Sequence, residues 1–88
     1  MMMRWIEDRG DIEFYDNGKG KRFQKITFLN TVYPISDGKS LLHIEDRGKF
    51  SIFYNLNGKY GFCVYEGEKK IVDNLWSLSE IDEYLGGK

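Results

Sequence analysis

The chain contains one histidine, His43, and one cysteine, Cys63. A structural or catalytic zinc site needs several His or Cys ligands at fixed spacing, and a nucleophilic triad needs a base held beside a nucleophile. Neither set can be assembled from these two residues. Cys63 lies between Phe62 and Val64, a mid-strand setting in which thiols are buried and inert. The acidic pairs Glu7-Asp8 and Glu45-Asp46 offer more chemistry, because neighbouring carboxylates can hold a divalent cation or share proton transfer. They serve as well to keep the end of a hairpin solvated. The reading is a chain that is no enzyme, with no catalytic, cofactor-binding or metal residue and no cofactor.

Basic residues offer a second kind of chemistry. Gly18-Lys19-Gly20-Lys21-Arg22, followed by Lys25, is the main basic cluster, and its glycines would let backbone amides approach a phosphate. It lacks the spacing of a phosphate-binding loop. Gly38-Lys39-Ser40 has the last three letters of that motif without the glycine that begins it. Lys19, Lys21, Arg22 and Lys25 are thus the candidates for contact with nucleic acid. A second form of the same idea uses Tyr54, Tyr60 and Tyr65 near Lys59, Lys69 and Lys70 as a stacking platform for single strands. Arg9-Gly10-Asp11 spells an adhesion tripeptide, but its second copy reads Arg47-Gly48-Lys49, so a turn is the better account.

Composition limits what these residues can be asked to do. The 88 residues carry 13 basic and 14 acidic side chains, which removes the net field of a non-specific nucleic-acid binder. Aromatic residues make up 16% and hydrophobic residues 41%, enough to drive folding into a packed unit. Length predicts a single domain over 1–88. With one cysteine and no long apolar run or cleavable leader, the expected location is cytoplasmic, without membrane association.

The elements that position these residues follow from an echo. Ile6-Glu7-Asp8-Arg9-Gly10 recurs as Ile44-Glu45-Asp46-Arg47-Gly48, each copy leading into an aromatic run and then an Asn-Gly-Lys turn. Two hairpins of one plan are predicted, over 5–20 and 43–61. In the first, a loop at Arg9-Gly10 would set Trp5 against Phe14 and, unfavourably, Asp8 against Asp11. In the second, Asn57-Gly58 predicts a tight type I′ turn setting Phe53 against Phe62. Phe50, Ile52, Tyr54, Cys63 and Tyr65 would then line the opposite face, leaving the ribbon apolar on both sides. Gly67-Glu68 predicts a further reversal pairing Glu66 with Lys69, which completes a meander of about four strands from Leu41 onward. Upstream, Phe23 to Tyr33 reads as one strand ended by Pro34. Leu78, Ile81 and Leu85 share a helical stripe over 78–85, with Ser77 and Glu80 as a capping box and Gly86-Gly87 as the stop. A helix this short must dock on a sheet face, and Trp76 would anchor it.

The Tyr60 to Leu85 segment, strands followed by Leu78-Ser79-Glu80-Ile81-Asp82-Glu83-Tyr84-Leu85, resembles the strand-strand-helix endings of small phage and mobile-element proteins. It is also similar in pattern to the arm-type DNA-binding domains of tyrosine integrases. The expected fold is α+β and mainly antiparallel, with six or seven short strands in two hairpin-led halves, barrel-like or sandwich-like, and one C-terminal helix. The expected function is a non-catalytic binding module that acts through protein contacts as a homodimer, because a two-sided aromatic ribbon and one short helix leave apolar surface to cover. Phe50, Ile52, Tyr54, Tyr65, Glu7, Asp8, Glu45 and Asp46 are its expected protein-binding residues. The alternatives are an inhibitor of restriction or CRISPR machinery, with acidic hairpin ends in a basic groove, and a nucleic-acid-binding sheet. No small-molecule substrate is expected.

Overall fold

The structure is a computed structural model that describes residues 3–87. Among these residues the order of elements is β1 (Arg4–Arg9), β2 (Ile12–Asp16), β3 (Arg22–Ile26), β4 (Thr31–Pro34), β5 (Leu41–Arg47), β6 (Phe50–Asn55), β7 (Phe62–Glu66), β8 (Lys69–Leu75) and α1 (Leu78–Gly86). The strands form two open antiparallel meanders, β1-β2-β3-β4 and β5-β6-β7-β8. The fold is α+β and mostly antiparallel, as expected, but it has eight strands and no closed barrel. The extra strand comes from 23–33, which bends between Ile26 and Thr31 instead of running straight. Its turn is closed by Leu29 and Asn30 backbone N–H groups on the Ile26 carbonyl, with Asn30 at φ 56°. Asn is one of the few residues other than glycine that tolerates this region.

The chain forms two compact units. Trp76 onward joins the first with the chain up to Ile35, and Ser36–Leu75 make the second. No helix among the described residues is long and apolar enough to cross a membrane.

In the first unit Gly10-Asp11 is the loop of the β1-β2 hairpin, so Arg9 faces Ile12 and Asp8 faces Glu13. This corrects the expected Arg9-Gly10 loop by one residue. Gly10 supplies positive φ at the first loop position, the order that type II′ turns use. A bulge at Ile6 then sets Trp5 against Tyr15 and Glu7 against Phe14. Period-two alternation places Ile12, Phe14, Gln24 and Ile26 on one face, and all four are buried. Fully burying an Ile contributes about 1.5–3 kcal/mol relative to exposure, and no buried side-chain N or O among the described residues lacks a hydrogen-bond partner.

Asp11 ties the helix to this unit. Its backbone N–H donates to the Trp76 carbonyl at 2.8 Å, and its carboxylate accepts the Leu78 N–H at 2.8 Å. Ser77 is the N-cap, accepting from the Glu80 N–H at 3.0 Å, and Glu80 reaches back to the Trp76 N–H at 3.4 Å. The Ser77 half of the capping box read from the sequence is in place, while the Glu80 side chain reaches the residue before the N-cap rather than the N-cap amide. Ile81 is fully buried. Trp76 packs against Phe14 with ring centroids 6.3 Å apart and carries the Arg9 guanidinium 4.6 Å from its ring centroid. The helix therefore belongs with the first sheet, where the sequence left open which sheet face it would cover. Asp11, an unremarkable loop letter in the sequence, makes the difference.

The second unit repeats the pairing of the first hairpin. Gly48-Lys49 forms the loop, a bulge falls at Ile44, and His43 faces Phe53 where Trp5 faces Tyr15. The Asn57 hairpin is looser than a type I′ turn. Asn55 pairs with Gly61 through its N–H at 2.9 Å, leaving 56–60 as the loop. Only Asn30 and Asn74 have positive φ among the described non-glycine residues, so Asn57 does not adopt the conformation a type I′ turn demands. Instead its side chain accepts the Lys59 N–H at 2.9 Å. The register moves by one: Phe53 faces Cys63 and Tyr54 faces Phe62. Ile52, Tyr54, Phe62 and Val64 therefore share a fully buried face, while Phe53, Cys63 and Tyr65 lie on the other. The third reversal at Gly67-Glu68 pairs Glu66 with Lys69 as read from the sequence.

Candidate functional site

Each sheet has a face that alternation directs away from its buried row. On the first sheet one row crosses all four strands: Trp5, Tyr15, Phe23 and Pro34. The next row is Asp8, Glu13, Lys25 and Val32. Trp5 is 61% exposed and Val32 45%; Tyr15 and Phe23 are half-buried and Pro34 is exposed. Trp5 is the most exposed of the large hydrophobic side chains among the described residues.

Polar groups fix the rings of that row. The Trp5 indole N–H donates to Asp8 at 2.7 Å, and the Tyr15 hydroxyl donates to Glu13. The Glu13 carboxylate pushes the Tyr15 phenol up from its ordinary 10.0, chiefly by accepting that hydrogen bond, so the ring stays neutral. The Lys21 ammonium stands 5.9 Å from the Phe23 ring centroid. Acidic groups thus sit over β1 and β2 and basic groups over β3. The basic cluster read from the sequence is divided here: Lys21 and Lys25 share the aromatic face, Arg22 lies over Phe14 at 5.8 Å on the opposite face, and Lys19 is exposed in the loop.

On the second sheet the corresponding rows are His43, Phe53 and Cys63, then Asp46, Ser51, Tyr65 and Lys70. His43 meets Phe53 edge-on at 5.3 Å, and Phe53 meets Tyr65 at 5.4 Å, a continuous aromatic ladder. His43 Nε2 lies 2.9 Å from Asp46 Oδ1, the partner arrangement of Trp5 and Asp8. Hydrogen bonds from His43 and then Ser51 hold the Asp46 carboxyl below its ordinary value. Cys63 is 2% exposed, and burial pushes its thiol up from 9.0, away from the reactive thiolate.

The ladder ends at a groove of about 340 Å³ lined by Tyr65, Lys70, Tyr60, Asn55, Asn57 and Leu41 together with residues 37–39. Tyr60 is 50% exposed. Lys70 donates to Asp73 at 3.0 Å, which raises its pKa.

The other residues singled out by sequence fall as follows. Ile52 and Tyr54 are fully buried and offer no exposed surface within the chain, Phe50 is half-buried, and Tyr65 lines the groove. Glu7 is exposed, and Glu45 accepts from Arg47 at 3.0 Å. No group of three or more His, Cys, Asp or Glu that could hold a metal ion occurs among the described residues. Of the tyrosine platform, Tyr60, Tyr65 and Lys70 come together, and Tyr54 is directed to the other face. Sequence reading missed the aromatic row of the first sheet because it depends on the one-residue loop shift, the Ile6 bulge and the turn at Asn30. The Gly-first loop at Gly67-Glu68, applied to Gly10-Asp11, would have given the first of these.

Compared with protein-family models, curated proteins and solved structures, the chain matches none of them.

Proposed function

We propose that this protein is a non-catalytic binding module that acts through protein contacts and pairs with a second copy of itself across the aromatic face of the first sheet. The observation that carries this reading is the Trp5, Tyr15, Phe23 and Pro34 row, with Trp5 61% exposed. Trp and Tyr dominate the energetics of protein interfaces because they remove much apolar area from water at little entropic cost.

The charges on this face favour a second copy as the occupant. A two-fold axis running along the strands between β2 and β3 places β1 of one copy over β4 of the other, and β2 over β3. Trp5 then meets Pro34 of the second copy, Tyr15 meets Phe23, and Glu13 meets Lys25. Acidic groups fall on basic groups twice, once for each half of the interface.

Charge exchange tests this arrangement. Glu13→Lys and Lys25→Glu should each weaken self-association, since each creates two like-charge contacts. Mixing the two variants should restore a dimer containing one of each, because both contacts again join opposite charges. Light scattering and gel filtration of each variant and of the mixture read the outcome. A mixture that stays as dissociated as its components would refute the proposed axis, and a monomeric wild type at tens of micromolar would refute self-pairing itself.

A further inference from the structure

The groove on the second unit has a chemistry that the aromatic face of the first sheet lacks. Asn55 Oδ1 accepts the Asn57 N–H at 3.4 Å, and Asn57 Oδ1 accepts the Lys59 N–H at 2.9 Å. Each amide oxygen thus accepts one bond from the loop's own backbone, and each NH₂ keeps its donors to offer beside the oxygen's second lone pair. Lys39 and Lys70 add two ammonium groups to the lining, and Asp37 is its one carboxylate among the described residues. Lys70 gives a hydrogen bond to Asp73, but an ammonium has three N–H groups.

The lining therefore sets two ammonium groups against one carboxylate and adds the donors of two amides, beside the Tyr60 and Tyr65 hydroxyls, which both give and receive. Phosphate oxygens accept from ammonium groups, and base carbonyls accept from amide donors. Tyr60, half in solvent at the lip of the groove, presents a ring on which a planar base can stack. The volume of about 340 Å³ falls at the small end of ligand sites.

From this juxtaposition we infer that the groove binds a nucleotide, with its base on Tyr60, its phosphate between Lys39 and Lys70, and the amide groups of Asn55 and Asn57 on base or sugar oxygens. A free nucleotide and one residue of a single strand present the same chemistry. The inference is independent of the self-pairing proposed above, which uses another face in another unit.

Fluorescence anisotropy with a labelled oligothymidylate, and calorimetry with uridine 5′-monophosphate, test it on the full chain at low salt. Binding of both probes assigns the groove to a single nucleotide; binding of the oligonucleotide alone assigns it to a strand. In either case Tyr60→Ala should weaken binding by about 5- to 150-fold, and Lys39→Gln should weaken it while flattening its salt dependence. Far-UV circular dichroism confirms that each variant is folded, which the exposure of Tyr60 favours. Failure of both probes to bind overturns the inference. So does binding that survives Tyr60→Ala but is lost on charge reversal of Lys19 and Lys21, since that places the nucleotide on the other unit.

Discussion

Gly10 and Gly48 occupy the same place in the two echoed hairpins, with φ of 57° and 61°, so one serves as the control for the other. An alanine in this left-handed region costs about 1–2 kcal/mol at either position. Losing a glycine also reduces the entropy of the unfolded chain, by about 0.4–1 kcal/mol, and that term cancels between the two variants. Their surroundings differ. A Cβ on Gly48 meets nothing within 4 Å, whereas a Cβ on Gly10 would lie 2.1 Å from the Trp76 carbonyl oxygen. The loop and the helix entrance must then separate. That breaks the Asp11 to Trp76 hydrogen bond, worth about 0.5–1.5 kcal/mol, and uncovers part of a Trp76 side chain now only 7% exposed. Gly10→Ala should therefore cost about 1–3 kcal/mol more than Gly48→Ala. Urea titration followed by far-UV circular dichroism compares the two, and tryptophan emission should shift to the red in the Gly10 variant as Trp76 becomes wetter. Equal losses of stability, or an unchanged emission maximum, would refute the argument that helix docking requires a bare Cα at position 10.

Asp11→Ala should cost about 0.5–2 kcal/mol, as removal of a helix-start acceptor does, and should lower helical ellipticity before global unfolding; an unchanged urea midpoint would contradict its role in tying α1 to the first sheet. The Gly18 N–H and then the Arg4 guanidinium hold the Asp16 carboxyl below its ordinary 3.8, so the stability it confers is present above that value and lost as pH falls through the depressed folded one. Asp16→Asn should accordingly be less stable than wild type at neutral pH, with the gap narrowing in acid as the carboxylate protonates; a gap unchanged through the acid range would contradict this linkage. Cys63, buried and raised in pKa, should react with Ellman's reagent at pH 8 only as fast as the second sheet opens, with the rate climbing through the urea transition. Prompt stoichiometric labelling of the native protein would overturn that placement.

The parts of the fold legible in the sequence are those set by local chemistry. Ser77 and Glu80 announced the helix start and Gly67-Glu68 announced its turn, while the repeated Ile-Glu-Asp-Arg-Gly strings lie in β1 and β5, whose hairpins have bulges at Ile6 and Ile44. What escaped was register, because in a strand one residue of slip exchanges the faces. The Asn57 loop illustrates the cause: its side chains bond their own backbone and hold a longer loop, so Phe53 and Phe62 part to opposite faces. The turn at Asn30 has no glycine or proline to mark it. The link from Asp11 to Leu78 joins distant parts of the chain, and no local pattern encodes it. The aromatic face of the first sheet follows from three such shifts together, which is why it emerges only when the strands are paired.

If the proposed self-pairing holds, a second copy covers this aromatic face in solution. Sedimentation equilibrium of the full chain, with a Trp5→Glu variant beside it, measures that directly. The wild-type mass should move toward twice 10.4 kDa as concentration rises, and the variant should keep the mass of one chain because Trp5 provides the main anchor. A wild type that sediments as a single chain throughout, or a Trp5→Glu protein that associates as strongly as wild type, would contradict it.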